Sequence, residues 1–275
     1  MTIANVTFGS DAEVFLKTLT QEFFPVCDLV GGTKERPRSL GDGYFIQEDN
    51  VALEFNIPVC KDSKSFQQAF SVAFVKIAKE IPKSLIMSTE TAANFSPVYI
   101  SQIPQAQVFG CDPDYNVWEL SENPKPFCDM PYLRTAAAHV HIGWEDPTDE
   151  DRIALVKFSD IFVSTLSWMY PDRLRRKLYG KAGAFRPKDY GIEHRVLSNE
   201  WIFDPKEINR IFNGYLQAIE AVNLNLQIEP TDEALIQKAI NSYDSDTCSL
   251  LWNKYDKKLK TAKQIFNKEK AKPNA

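Results

Sequence analysis

Four short segments place acids, histidines and arginines on stretches whose alternation reads as β-strand. In residues 9–16 (GSDAEVFL), Asp11 and Glu13 are two apart, so on a strand both carboxylates leave the same face. Two like charges on one face of an apolar strand repel each other and are costly to desolvate unless a cation neutralises them, which points to a metal. The bland alternative is a solvent-facing pair on an edge strand. In residues 47–56 (QEDNVALEFN) the same period groups Glu48, Asn50, Glu54 and Asn56 into an oxygen-rich stripe of the kind magnesium or manganese prefers. In residues 136–143 (AAAHVHIG), His139 and His141 share a face while Val140 and Ile142 pack on the other, which suits metal ligation or phosphate contact.

The fourth segment is basic. Seven cationic residues lie between Arg173 and Lys188 around small residues, and guanidinium forks suit the equatorial oxygens of a transferring phosphoryl group. Glu193 and Arg195 follow on one strand face, and His194 points to the other, where it reads as structural. Neither GxxxxGK[ST] nor GxGxxG occurs, so nucleotide binding by those two routes is disfavoured. An acid- and histidine-lined sheet face beneath a basic loop matches a divalent metal with a nucleoside triphosphate.

The elements that must hold these residues are legible in outline. Apolar alternation at residues 3–8 and 13–16 predicts an opening strand interrupted at Gly9-Ser10, and residues 43–59 predict one long extended segment. Asp62 or Ser63 caps a helix to about Ile81, with Phe66, Phe70, Phe74 and Ile77 on one face. Residues 102–135 hold five prolines and read as an irregular excursion with a short strand near residues 105–110. A strand at residues 137–144 and a helix from Thr148 to about Met169 come next. Residues 193–197 return as strand, and helices over about 205–226, 231–241 and 246–267 close the chain. Strands early and helices late predict an α+β fold with a mostly antiparallel sheet. The domain division expected is 1–228 for the catalytic part and 229–275 for a helical extension with a lysine-rich tail.

At 275 residues, 44% of them hydrophobic and 25% charged, the chain is one large domain or one domain with an appendage. No apolar run reaches the ~18–20 residues of a membrane helix, and the first residues lack the pattern of a signal peptide, so the expected setting is soluble and cytoplasmic, with no membrane partner. Cys27, Cys60, Cys111, Cys128 and Cys248 contain no CxxC pair and receive no role. The net charge of −5 divides into +6 for residues 254–272 and −11 for the remainder, which argues against nucleic acid as a partner. The lysine-rich end, residues 268–275, reads as a solvated tail.

Together these segments resemble the glutamine synthetase and glutamate-cysteine ligase superfamily of carboxylate-amine ligases. More closely, GSDAEVFL, GGTKERP, QEDNVALEFN, FGCDPDY, LRTAAAHVHIG, RRKLYGKAGAFR and YGIEHRVLSNEW are similar to the phage-type COOH-NH2 ligase family, type 2, over residues 7–201. The superfamily's first acid is usually Glu where this chain has the shorter Asp11. The resemblance implies a curved antiparallel sheet of the glutamine synthetase catalytic type with helices outside, binding ATP and divalent cations, Mg2+ or Mn2+. It implies that Glu13 and Glu54, with Glu48 or Asn50 as a third, hold the substrate-side metal, and that Asp11, His139 and Glu193 hold the metal between the phosphates. His141 would contact nucleotide phosphate and Arg195 the γ-phosphoryl group or the carboxylate. Arg186, Arg176 and Lys181 would meet the transition-state charge.

The activity so implied is ATP-dependent amide formation through an acyl phosphate. Its partners would be small-molecule or peptide carboxylates and amines, and a homo-oligomer is compatible with the sequence. The alternatives are a guanidino-kinase-like phosphotransferase and an inactive phage structural or binding protein.

Overall fold

The computed structural model describes residues 2–107, 114–126, 129–170 and 172–270. Strand β1 (Thr7–Thr18) runs through the middle of the sheet without a break at Gly9-Ser10, because its ladder with a later strand is continuous from Thr7 to Ala12. After β2 (Phe23–Phe24) and β3 (Arg38–Gly41), the expected single extended segment is instead a hairpin, β4 (Tyr44–Asp49) and β5 (Ala52–Asn56). Asn50 takes a left-handed conformation (φ 55°) at its turn. Helix α1 (Ser63–Glu80) begins as expected: Asp62 accepts from the Ser65 backbone N–H at 2.8 Å in a capping box.

After α1 come β6 (Leu85–Ser88), β7 (Ala92–Asn94) and α2 (Pro97–Gln102). The excursion expected over 102–135 is more structured than its prolines suggest, with β8 (Tyr115–Asn116), β9 (Ser121–Glu122) and β10 (Leu133–Thr135). Of the short strand expected at 105–110, residues 104–107 form a 3-10 turn and the remainder lies outside the described residues.

Next come β11 (Ala138–Gly143), α3 (Asp149–Phe162), α4 (Arg173–Arg176), β12 (Ala184–Lys188), β13 (Gly191–His194), α5 (Pro205–Asn223), α6 (Pro230–Ser242) and α7 (Ser245–Lys270). Thr148 caps α3 and donates to the Asp151 carboxylate at 2.9 Å. The tail expected to be solvated from Lys268 begins as helix to Lys270, and residues 271–275 lie outside the description.

Among the described residues, eleven strands form one open antiparallel sheet, ordered β3-β4-β5-β1-β11-β13-β12-β8-β9, with β2 and β6 on the far half of β1. Alternation divides β1 cleanly. Phe8, Ala12, Val14 and Leu16 are buried toward the helices, where Phe8 meets Phe212 of α5 at 4.5 Å and Phe66 of α1 at 6.1 Å between ring centroids. The odd residues Asp11 and Glu13 face the other way. Further along that face, Phe15 is fully buried in a second, smaller apolar cluster with Val51, Ala52, Ala93, Phe95 and Ile100. This cluster closes one end of the open face and leaves the polar half as a cleft. Ile236, Ala239, Cys248, Leu251 and Tyr255 of α6 and α7 belong to the main apolar cluster. No described helix is long and apolar enough to cross a membrane.

Candidate active site

Register brings the site together. Asp11 lies opposite His139 on one side and Asn56 on the other, and Glu13 lies opposite Glu54. His141 pairs with Glu193, which pairs in turn with Arg186. Directly opposed residues of an antiparallel pair share a face, so five strands direct these side chains into one cleft.

Two groups of ligand atoms emerge there, each with all its atoms within 4.8 Å of one another: Asp11, His141 and Glu193, and Glu13, Asp49 and Glu54. In the first group the His141 Nε2 lies 3.2 Å from Asp11 Oδ2. His139, which the resemblance placed here as a ligand, is beside this group: its Nδ1 is 3.2 Å from Asp11 Oδ1 and 3.2 Å from Arg195 Nη1. His139 Nδ1 is also 3.6 Å from Glu193 Oε1, so both histidines border the two acids, and it is His141 that completes the compact group. Glu193 is almost completely buried and surrounded by cations. Arg195 Nη1 contacts its Oε1, Arg186 Nη1 is 3.5 Å from the same oxygen, and Lys188 Nζ is 2.7 Å from Oε2.

In the second group Asp49 stands where Glu48 or Asn50 was expected. The two-residue turn pairs Asp49 with Ala52 and Gln47 with Glu54, so odd positions of β4 share a face with even positions of β5. Glu48 consequently points to the opposite side, where its carboxylate accepts the backbone N–H groups of Asp28, Leu29, Val30 and Gly31 at 2.7–2.9 Å. Four backbone donors satisfy that charge, and it braces the loop before β3. Glu13 accepts the Ala137 N–H at 2.8 Å, a weak counterweight to two neighbouring acids.

The basic segment divides between the site and the scaffold. Arg186 and Arg195 line the cleft. Arg176 does not: it is buried against Asp172 at 3.2 Å, Ser167 Oγ at 3.0 Å and the Gly180 carbonyl, and its cationic plane covers the Tyr243 ring. The neighbouring Arg175 faces the cleft, with Nη1 donating to the Val196 carbonyl at 2.9 Å. Lys181 is half-buried outside the cleft lining, its pKa lowered by burial and by Arg176. A single residue step separates the roles of Arg175 and Arg176, because α4 turns adjacent arginines to different sides. Arg175 and Lys188 entered the sequence reading only as members of the basic run, and two acids did not enter it as site residues: Asp49, and Asp114, whose Oδ2 lies 3.5 Å from Arg195 Nε. For Asp49 the signal was the left-handed-tolerant Asn50; for the others, none is local. His194 is fully buried on the helix side, bonded through Nδ1 to the Tyr215 hydroxyl at 2.8 Å.

The two groups differ in electrostatics. Burial favours protonation of Asp11, yet His141 and His139 override it and hold its carboxyl well below the usual range. For Glu193, burial and Asp11 are likewise outweighed by Arg195 and the two histidines, which bring it down to about 2. Burial and Arg195 hold His139 down to about 4, whereas burial of His141 is overcome by Asp11 and its pKa rises. In the second group burial dominates. Glu13 is pushed up to about 8 by burial and then Asp49, and Glu54 to about 9 by burial and then Asp11, Glu13 and Asp49. Burial also raises Asp49. Glu13 and Glu54 therefore favour the protonated form near neutral pH in the metal-free chain, and a divalent cation with oxygen preference fits this group by supplying the missing charge.

No family model matches the sequence, and no curated protein matches it. Among solved structures, the chain is similar to a bifunctional glutathione synthetase from Pasteurella multocida, with a TM-score of 0.45 and 11% identity over 90% of this chain and 48% of that one. The chain therefore spans about half the length of that protein. An overlap this partial assigns no residue a role.

Proposed function

We propose that the protein is an enzyme of the ATP- and divalent-metal-dependent class, and within it a carboxylate-amine ligase of the glutamine synthetase-like kind, acting through an acyl phosphate. The observation that carries this reading is the pair of donor groups on one sheet face, one oxygen-only and one with an imidazole, with Arg186 and Arg195 beside them. Glu13, Asp49 and Glu54 would hold one ion, and Asp11, His141 and Glu193 the other. Bound there, such ions neutralise oxygens of a polyphosphate and of the carboxylate approaching it.

The chain's own residues then have separable tasks. Arg195 and Arg186 carry fixed guanidinium charge that stabilises the equatorial oxygens of the transferring phosphoryl group. In the first step a substrate carboxylate oxygen bonds to the γ-phosphorus and the bond to ADP breaks. In the second an amine nitrogen bonds to the acyl carbon, the carbon–oxygen bond to phosphate breaks, and the nitrogen loses a proton.

The test uses purified protein, ATP, Mg2+ or Mn2+, a panel of carboxylates, and hydroxylamine as a surrogate amine. A hydroxamate formed together with ADP and phosphate supports the ligase. ATP consumption with a stable phosphorylated product and no hydroxamate would replace it with a phosphotransferase of the guanidino-kinase kind. Absence of ATP consumption with every carboxylate and metal tried would favour a binding role.

A further inference from the structure

The turn between β12 and β13 carries a side chain that the proposed reaction does not use. Tyr190 extends its hydroxyl to His141 Nδ1, 2.5 Å away, with the two rings 6.1 Å apart and tilted by 37°. The other nitrogen of the same imidazole, Nε2, is buried without a hydrogen-bond partner and faces Asp11 Oδ2 at 3.2 Å.

The surroundings hold Tyr190 in place from several sides. Its carbonyl accepts the Trp144 N–H at 3.0 Å. Arg152 donates to the Lys188 and Gly191 carbonyls, each at 3.1 Å, and pairs with Asp149 at 2.7 Å. Gly191 adopts φ +149°, and a Cβ there would overlap the Ile142 carbonyl and meet the Trp144 ring at 2.6 Å, so glycine lets the hairpin lie close on β11. The Tyr190 ring comes within 3.5 Å of where a Cβ on Gly143 would stand. The backbone on both sides of the tyrosine is therefore fixed although the residue is 47% exposed.

We propose that Tyr190 is a positioning residue for the Asp11–His141–Glu193 site: its phenol oxygen accepts the His141 Nδ1–H and turns the Nε2 lone pair toward Asp11 and Glu193. The inference rests on the reading that this trio holds a divalent ion. A neutral imidazole has one N–H and one lone pair, and the partner of one nitrogen decides which is left for a ligand. Metal-binding histidines commonly donate the second N–H to a carboxylate or carbonyl, and loss of that partner costs roughly 10- to 100-fold in metal affinity. Here a phenol occupies that position. The arrangement also separates the two histidines: His141 has an external orienting group, while His139 Nδ1 lies against Arg195 and Asp11.

The test measures Mn2+ binding to the full chain by calorimetry in the wild type, Tyr190→Phe and Glu54→Gln, with the melting temperature of each metal-free protein. The wild type should bind two ions. Tyr190→Phe should weaken one of them by roughly 10- to 100-fold, leave the other alone, and keep the metal-free melting temperature. Glu54→Gln should weaken the other ion. Nitrogen-15 NMR of histidine-labelled protein, with Zn2+ as a diamagnetic probe, should show His141 protonated at Nδ1. Equal Mn2+ affinities in the wild type and Tyr190→Phe, or a zinc-loaded His141 protonated at Nε2, would overturn the role of Tyr190 while leaving the metal reading intact. A wild type that binds no Mn2+ would overturn the metal reading itself, and the positioning role with it.

Discussion

Asp11 and Glu13 leave the same strand on the same face, two residues apart, yet one is held ionised and the other protonated. The difference comes from the neighbouring strands. On the β11–β13 side, His139, His141, Arg186, Lys188 and Arg195 surround Asp11 and Glu193, and the anions are compensated before any ligand arrives. Beside β4 and β5, Glu13, Asp49 and Glu54 lie close together, and burial with their mutual repulsion outweighs the pull of Arg175 on Glu13 and of Lys34 and Arg195 on Asp49. One end of the cleft is thus built to keep its charge and the other to gain a cation, which is how one sheet face can hold two ions in unequal environments.

The strongest way to break this contrast is to remove compensation from the first trio. Arg195→Ala should lower turnover in the ATP and hydroxylamine assay about 100-fold or more, by ~3 kcal/mol of lost transition-state stabilisation, with a smaller change in nucleotide affinity. An unchanged turnover number would show that Glu193 merely anchors this arginine. A second contrast is in folding. Asp11→Asn removes an acid that two histidines depend on, and should destabilise the metal-free protein by roughly 1–3 kcal/mol in urea melts. Glu54→Gln removes an acid already protonated and should cost little or nothing, while both variants weaken Mn2+ binding. Equal losses would mean that the two trios are electrostatically alike.

The pH dependence sharpens the same point. Glu13 and Glu54 titrate at about 8 and about 9 in the folded chain against 4.5 for the ordinary group. Between those values the unfolded chain has released protons that the folded one retains. Stability from these groups is therefore full below about pH 4.5 and is lost as pH rises toward 8–9. The melting temperature of the metal-free protein should fall over that range. The Glu13→Gln/Glu54→Gln double variant should lack this component of the decline, and saturating Mn2+ should remove it from the wild type. Glu193 has the opposite sign, since its stabilisation is lost only as pH falls from about 4.5 through about 2. The smallest effect expected is on metal binding by His139→Ala, which should weaken Mn2+ less than His141→Ala does, because His139 touches Arg195 and lies outside the ligand trio. The reverse order in calorimetry would restore the assignment that the resemblance implied.

Much of the site was legible because strand alternation is local. Asp11 with Glu13, His139 with His141, and Glu193 with Arg195 share faces whatever strand lies beside them. Glu48 failed for a reason equally physical. Two residues at a hairpin turn, Asn50 and Val51, invert the parity between β4 and β5, and a one-position error carries the carboxylate through the sheet. The lack of an Asn-Gly or Asp-Gly pair concealed that turn within an apolar run. Arg176 failed because on a one-turn helix its neighbour Arg175 takes the cleft side. Lys188, Asp114 and Tyr190 reach the site from the sheet edge and from hairpin connections, where residue type alone indicates no direction.

The sequence by itself determined which strands carry chemistry, the α+β order of strands before helices, the capped starts of α1 and α3, and the hydrophobic faces that fold the sheet onto α1 and α5. These depend on interactions within one element, where period and capping are sufficient. Tertiary structure alone decided which acids became compensated and which did not. A pKa in a buried cleft is set by charges a few ångströms away through space, and those around Asp11 arrive from a strand more than a hundred residues distant in the chain.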